Sequence, residues 1–188
     1  VNLSVEESKE NLRKRFRFER SQRALGGDWL HLLETKEIIQ SQVIASYLSY
    51  GDEPDTTALN EGVRSAGKTL LLPKLNPDLT LTWIIWDEKT QFLSNKKNNG
   101  FKEPVGEIYS GQIDAMIMPA LRVDQSGVRL GQGGGSYDRT LGNLAIHPWK
   151  VALLHDEELT SENLPYNSYD IKVDAVALPE ILVRFKVR

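Results

Sequence analysis

The segment Gly127-Val-Arg-Leu-Gly-Gln-Gly-Gly-Gly-Ser-Tyr-Asp-Arg139 concentrates the residues of this chain most suited to chemistry. Glycines at 131, 133, 134 and 135 let a ligand approach the backbone and permit positive φ. Successive N–H groups at the start of a helix attract an anion, phosphate above all. Arg129 adds positive charge on one side of the run, and Asp138 adds a carboxylate on the other. A carboxylate beside phosphates suits the magnesium that accompanies a nucleotide. A glycine run by itself marks only a turn before a helix. The flanking Arg129, Tyr137 and Asp138 make it a candidate phosphate site.

A second segment, Gly62-Val-Arg-Ser-Ala-Gly-Lys-Thr69, matches the Gly-x-x-x-x-Gly-Lys-Ser/Thr nucleotide-binding pattern letter for letter. That pattern works only when a strand precedes it and a helix follows. Here the helical segment comes first and the apolar strand Thr69-Leu-Leu-Leu72 comes second. Gly67 therefore reads as a glycine that ends a helix, and the segment is set aside.

Positioning falls to the surrounding elements. Ser4 with Glu7 three residues on has the form of a capping box for a helix from about Ser4 to Ala24. Leu12 and Phe16 form its apolar face, and Lys9, Arg13, Arg17 and Arg20 form a basic stripe. A basic stripe is ordinarily a solvated face. Gly26-Gly27 is expected to end this helix, and Asp28 to cap a second one reaching Gln40. Strands are expected over Gln42–Tyr50, Thr69–Leu72 (stopped by Pro73), Leu79–Trp86, Ala115–Met118, Val151–Leu154 and Val173–Leu178. Helices are expected over Thr56–Ala66 and Gly134–Leu144, and a mobile polar loop over Ser94–Gly106. Strands alternating with helices imply an α/β sheet with helices on both faces.

Length and composition fit this reading. The chain has 188 residues, suited to one domain spanning 1–188 that buries a core without staples. The net charge of −3 gives no bulk attraction for nucleic acid or an anionic membrane. There is no cysteine, which removes disulfides, thiolate metal sites and a thiol nucleophile. No apolar run approaches the roughly 20 residues of a membrane span, and no secretory signal is visible, so a cytoplasmic protein is expected. His31, His147 and His155 show no ligand spacing and read as surface or packing residues. Trp83 and Trp86, three apart, read as packing on opposite faces of a strand, and Trp149 as core or pocket lining.

The string Arg129-Leu-Gly-x-Gly-x-Gly-x-Tyr137-Asp138 resembles the signature of the 5-formyltetrahydrofolate cyclo-ligase family. Weaker resemblances occur in the same order along nearly the whole chain. They are Lys9-x-x-Leu12-Arg13, Glu53-Pro-Asp55-Thr56, Gly67-Lys68 with Leu72-Pro73, Glu103-Pro104, and Asp170-x-x-Val173-Asp174. The resemblance implies a single three-layer α/β/α domain with a central, mostly parallel or mixed sheet, similar to the sugar-phosphate isomerase and CoA-transferase group. It implies an ATP- and magnesium-dependent ring closure of 5-formyltetrahydrofolate to 5,10-methenyltetrahydrofolate. ATP and formylfolate would be its small-molecule partners, in a monomer or weak homodimer.

By the same resemblance, Lys9, Arg13 and Arg129 carry the catalytic charge. They bind ATP with Leu130, Gly131, Gln132, Gly133, Gly134, Gly135, Ser136 and Tyr137. Tyr50 and Asp55 contact the folate, along with Gln132 through Ser136, and Asp138 and Asp174 hold Mg2+. Arg17 and Arg20 have no counterpart and are left as solvated. Asp55 stands where many relatives carry glutamate, and Gln132, Gly134 and Ser136 depart from commoner residues. Two other readings remain open on these residues: an isomerase or transferase on the same fold, and a non-catalytic nucleotide- or folate-binding relative.

Overall fold

The computed structural model describes residues 3–23, 26–87, 89–94 and 102–186. Helix α1 (Val5–Ser21) starts where expected. Ser4 Oγ accepts from Glu7 N at 3.2 Å, and Glu7 Oε2 accepts from Ser4 N at 2.8 Å, a reciprocal cap. The helix ends before the glycine pair. Gln22 N and Arg23 N turn back to Glu19 O and Arg20 O, tightening the last turn and closing it early. The expected second helix is two pieces, a 3-10 turn over Leu30–Glu34 and α2 (Lys36–Gln40). Asp28 Oδ1 does accept from Leu30 N, at 3.0 Å. The break is Thr35, whose backbone is extended while its hydroxyl donates to Leu32 O, a local competitor of the helix ladder.

The strands, in chain order, begin with β1 (Val43–Ala45), β2 (Thr69–Leu75), β3 (Leu81–Ile85), β4 (Gln91–Ser94), β5 (Lys102–Val105) and β6 (Ile108–Tyr109). They continue with β7 (Ala115–Pro119), β8 (Arg122–Asp124), β9 (Arg129–Leu130), β10 (Trp149–Leu153), β11 (Leu159–Thr160), β12 (Ala175–Ala177) and β13 (Leu182–Arg184). Helix α3 (Thr57–Ser65) precedes β2, and α4 (Ser136–Gly142) follows β9. The main sheet has the order β13-β12-β10-β7-β1-β2-β3-β6. Its five central strands run parallel; β13 and β3 run antiparallel to them, and β6, antiparallel to β3, returns to the central direction. A small sheet, β11-β8-β9, and a β4–β5 hairpin complete the topology.

Side-chain alternation explains why the central strands are apolar throughout. Ile44, Leu70, Ile117, Val151 and Ala175 point to one face, where Leu32, Ile38, Leu59 and Val63 cover them. Ala45, Leu71, Met116, Ala152 and Val176 point to the other, against Leu141 and the partly buried Tyr137 of α4. Trp83 and Trp86 fall on opposite faces, as their spacing requires, and Trp149 packs on the first face. Helix α1 does not lie on the main sheet. Its Phe16 and Leu12 pack on Leu121, Val128 and Leu130 around the small sheet.

Two strand boundaries correct the expectation. Strand β2 runs through Pro73 to Leu75. Trp86 N donates to Leu70 O and Ser46 N to Leu71 O, so alternate residues face β3 and β1. The imide of Pro73 thus faces the β1 side, where β1 has already ended at Ala45. Strand β1 itself stops at Ala45, and just beyond it side chains take the backbone's hydrogen bonds. Thr56 Oγ1 and Asn60 Nδ2 both donate to Tyr47 O, at 2.8 and 2.9 Å. Of the expected loop Ser94–Gly106, Lys102–Val105 is strand, and 95–101 lie outside the described residues.

The pattern-matching segment at 62–69 behaves as context demands. Gly67 takes φ +72 just past α3, and Lys68 Nζ donates to Ile39 O and Ser41 O. It binds its own chain and is a helix-ending joint.

Candidate active site

Strands β1 and β7 are adjacent and parallel, and chain order reverses between them. In an open α/β sheet the crevice beyond the carboxyl ends of such strands is where ligands bind. A cleft of about 1030 Å³ opens there. Tyr47 and Leu48 follow β1 into it, and Pro119 ends β7 at its edge. Pro73, Leu75, Leu81 and Tyr50 give it an apolar side. Lys9 and Arg13 of α1 line it together with the loop Gly131–Gly135.

The loop conformation depends on its glycines at two points. Gly133 has φ +111, and Gly135, at the start of α4, has φ +66. Both lie in the left-handed region that side chains disfavour. No side-chain oxygen caps α4. Three of the loop's carbonyls accept from arginines. Arg13 Nε donates to Gly131 O at 3.2 Å, Arg17 NH2 to Gln132 O at 2.7 Å, and Arg139 NH1 to Gly134 O at 2.6 Å. Guanidinium groups on the carbonyl oxygens add positive charge around the loop, favouring an anion there.

The charged groups form two clusters. Lys9, 5% exposed, pairs with Asp170 at 2.5 Å and Glu6 at 3.4 Å, leaving one of its three donors for the cleft. Arg129 donates to Pro119 O at 3.2 Å and to Asp138 Oδ2 at 3.1 Å. Its buried Nε has no protein partner, and its guanidinium lies 5.5 Å from the Tyr137 ring. Burial pushes the Tyr137 phenol well up, so it remains a neutral donor.

Of the expected site residues, the structure brings together Lys9, Arg13, Tyr50, Arg129, Leu130, Gly131, Gln132, Gly133, Gly134, Gly135, Ser136, Tyr137 and Asp138 around this cleft. Two stand elsewhere. Asp55 Oδ1 accepts from Thr57 N at 2.9 Å and Ser49 Oγ at 3.4 Å, and it is exposed at the start of α3, outside the cleft. The Thr57 backbone hydrogen bond, foremost, holds its carboxyl below the usual range. Asp174 precedes β12, at the opposite end of the parallel strands from the cleft. It accepts from Lys150 N and Lys150 Nζ, both at 2.7 Å. The expected pairing of Asp138 with Asp174 is therefore corrected. Position along the sheet, which spacing in sequence does not encode, separates them.

Glu53, Tyr169 and Asp170 also line the cleft, though no site role was expected of them. Glu53 accepts from Tyr50 N at 3.1 Å and Gln132 Nε2 at 3.4 Å. Burial pushes its carboxyl above the usual range. Tyr169 and Asp170 stand at the other end, beside Lys9. The signal for Glu53 was present in Glu-x-Asp, but which carboxylate faces inward depends on the turn. Arg17 is exposed, as expected, and also holds Gln132 by both side chain and carbonyl. Arg20, also expected to be solvated, is 3% exposed and forks onto Glu158.

A family model described as the 5-formyltetrahydrofolate cyclo-ligase family matches residues 5–179. The chain belongs to that family. A 5-formyltetrahydrofolate cyclo-ligase of Escherichia coli is 33% identical over 147 residues, covering 76% of this chain and 80% of its own length. One from Mycolicibacterium smegmatis is 32% identical over 151 residues, covering 76% of each chain. The solved structure of 5,10-methenyltetrahydrofolate synthetase from Aquifex aeolicus superposes with a TM-score of 0.78 at 26% identity, covering 96% of this chain and 94% of the other. A Mycoplasma pneumoniae counterpart, 18% identical with a TM-score of 0.69, shares the fold. The α/β sheet, with α1 and the glycine loop at its cleft, is thus the architecture of a member of that family.

Proposed function

We propose that the chain closes the ring of 5-formyltetrahydrofolate to 5,10-methenyltetrahydrofolate, consuming ATP and releasing ADP and phosphate. The observation that carries this is the convergence of Lys9, Arg13 and the arginine-held glycine loop on one cleft with an apolar side, in a member of this family. A formamide is a poor electrophile, and its oxygen cannot leave as oxide. Transfer of the γ-phosphoryl group to the formyl oxygen turns it into phosphate. The neighbouring folate amine then attacks the formyl carbon and gives up its proton. The carbon–oxygen bond breaks and phosphate departs. The attack is intramolecular, so holding the folate in one conformation contributes much of the rate.

The protein's part is charge and alignment for the phosphoryl group. In this reading Lys9, Arg13 and the loop amides receive the phosphates. Arg129 anchors Asp138 and the strand edge while adding charge behind the loop. Tyr50 and the partly buried Glu53 face the folate, Glu53 in the role that the resemblance implies for Asp55. A carboxylate accepts well from the amino and ring N–H groups of a pterin.

Magnesium beside a nucleotide takes most of its oxygens from phosphate and water and only one or two from carboxylates. Among the described residues no group of three His, Asp or Glu side chains could hold a metal ion. Asp174 is remote, and both oxygens of Asp138 are engaged, by Arg129 and by Ile171 N. We therefore assign magnesium to the nucleotide as it arrives.

Glu53 beside the loop is the one feature that an isomerase or transferase would also use. The assay that separates the readings follows the methenylfolate absorbance band with protein, magnesium, ATP and 5-formyltetrahydrofolate, against a control without ATP. ATP-dependent growth of the band is expected. A flat trace with ATP still bound identifies a non-catalytic relative. A flat trace without ATP binding returns the site to the isomerase or transferase class.

A further inference from the structure

Helix α1 sorts the cleft into two ends. Toward its C-terminus, Arg17 holds Gln132, and Gln132 reaches Glu53, the carboxylate assigned to the folate. Toward its N-terminus, beyond Arg13, come Lys9 and then Glu6, each about 1.5 Å per residue further along the axis. At that end stands Tyr169, an aromatic the reaction scheme has not used.

Tyr169 lines the cleft with 61% of its surface exposed, yet it is held in place. Its hydroxyl donates to Glu6 Oε1 at 3.1 Å and accepts from Asn167 Nδ2 at 2.6 Å. Asn167 Nδ2 also reaches Glu6 Oε1, at 2.8 Å. Lys9 Nζ lies 5.6 Å from the ring centroid. A fixed, exposed ring is therefore placed beside the ammonium that would meet the phosphates. The carboxylates of Glu6 and Asp170 disfavour another phosphate at this end. A neutral, flat heteroaromatic group is not disfavoured by them, and it gains by stacking on the tyrosine.

We propose that Tyr169 is the platform on which the purine base of the nucleotide stacks, with Lys9 and Arg13 taking its phosphates. This rests on the ATP-dependent reading above. Base stacking on an aromatic side chain is sequence-tolerant and is commonly lost on truncation to alanine.

The test is equilibrium binding of magnesium ATP and of magnesium tripolyphosphate, which has phosphates but no base. In Tyr169→Ala, ATP binding is expected to weaken about tenfold or more, with tripolyphosphate binding unchanged. Tyr169→Trp should restore ATP affinity. Tyr169→Phe, which keeps the ring and drops the Glu6 and Asn167 bonds, should retain most of it and guards against a folding defect in the alanine variant. Equal weakening for both ligands, no weakening for ATP, or a rise confined to the KM for formylfolate would overturn the proposal. Wild-type protein that binds no ATP would sink the reaction scheme itself, a result distinct from a Tyr169→Ala variant that binds ATP as wild type does.

Discussion

The two ends of the basic stripe on α1 carry the same kind of residue and do opposite things. Near the N-terminus, Lys9 and Arg13 line the cleft, each retaining donors beyond its protein contacts. Near the C-terminus, Arg20 is closed off. Its fork meets Glu158 at 2.8 and 2.7 Å and Ala120 O at 2.7 Å, and Glu158 is fully buried. Arg122 joins the same network through Glu158 at 3.5 Å and through Glu19. A second arginine, stacked 4.4 Å from the Phe16 ring, thereby ties the helix to the small sheet. The lesson is that charge on a helix face does not distinguish binding from packing. What distinguishes them is how many of the donors the protein already satisfies.

The largest effect that would break this comparison lies at the closed end. Arg20→Ala leaves Glu158 buried without its main partner, which costs on the order of 3–5 kcal/mol. Urea denaturation should show that loss, while the folded fraction keeps the wild-type ATP KM. A stable variant with weakened ATP binding would place Arg20 with the binding residues instead. Next, at the open end, Arg13→Ala is expected to raise the ATP KM by about tenfold, the scale of one charge-assisted contact of roughly 1.4 kcal/mol. Its melting temperature should stay within a few degrees of wild type. Unaltered ATP kinetics in a folded Arg13→Ala protein would remove Arg13 from the site. The smallest effect concerns Asp174. Because it pairs with Lys150 at the far end of the sheet, Asp174→Asn should leave the magnesium titration of activity unchanged. A shifted titration would restore the Asp138–Asp174 metal pair that the sheet separates.

Much of the site could be read from residue order, because it is local. The glycines at 133 and 135 permit the loop's left-handed backbone, and the capping box at Ser4 fixes where α1 begins. The i, i+4 spacing then puts Lys9 and Arg13 on one face. The reversed order of helix and strand around Gly67 was enough to dismiss the second phosphate-loop pattern. Hydrophobic content placed the central strands, and the alternation of Trp83 and Trp86 placed their faces.

What the sequence could not decide was which charges meet across long separations. Glu53 rather than Asp55 enters the cleft because Asp55 is captured locally by Thr57 N and Ser49, within a turn that points its neighbour inward. Arg20 is buried because Glu158, distant in sequence, reaches it through the small sheet, whose short strands carry too little periodicity to be read. Asp174 is excluded because a parallel sheet has two ends, and a residue before a strand lies at the end opposite one that follows a strand. Local backbone preference and helical spacing are written in neighbouring residues. The pairing of buried charges, and the end of the sheet to which each carboxylate belongs, exist only once the strands have been ordered.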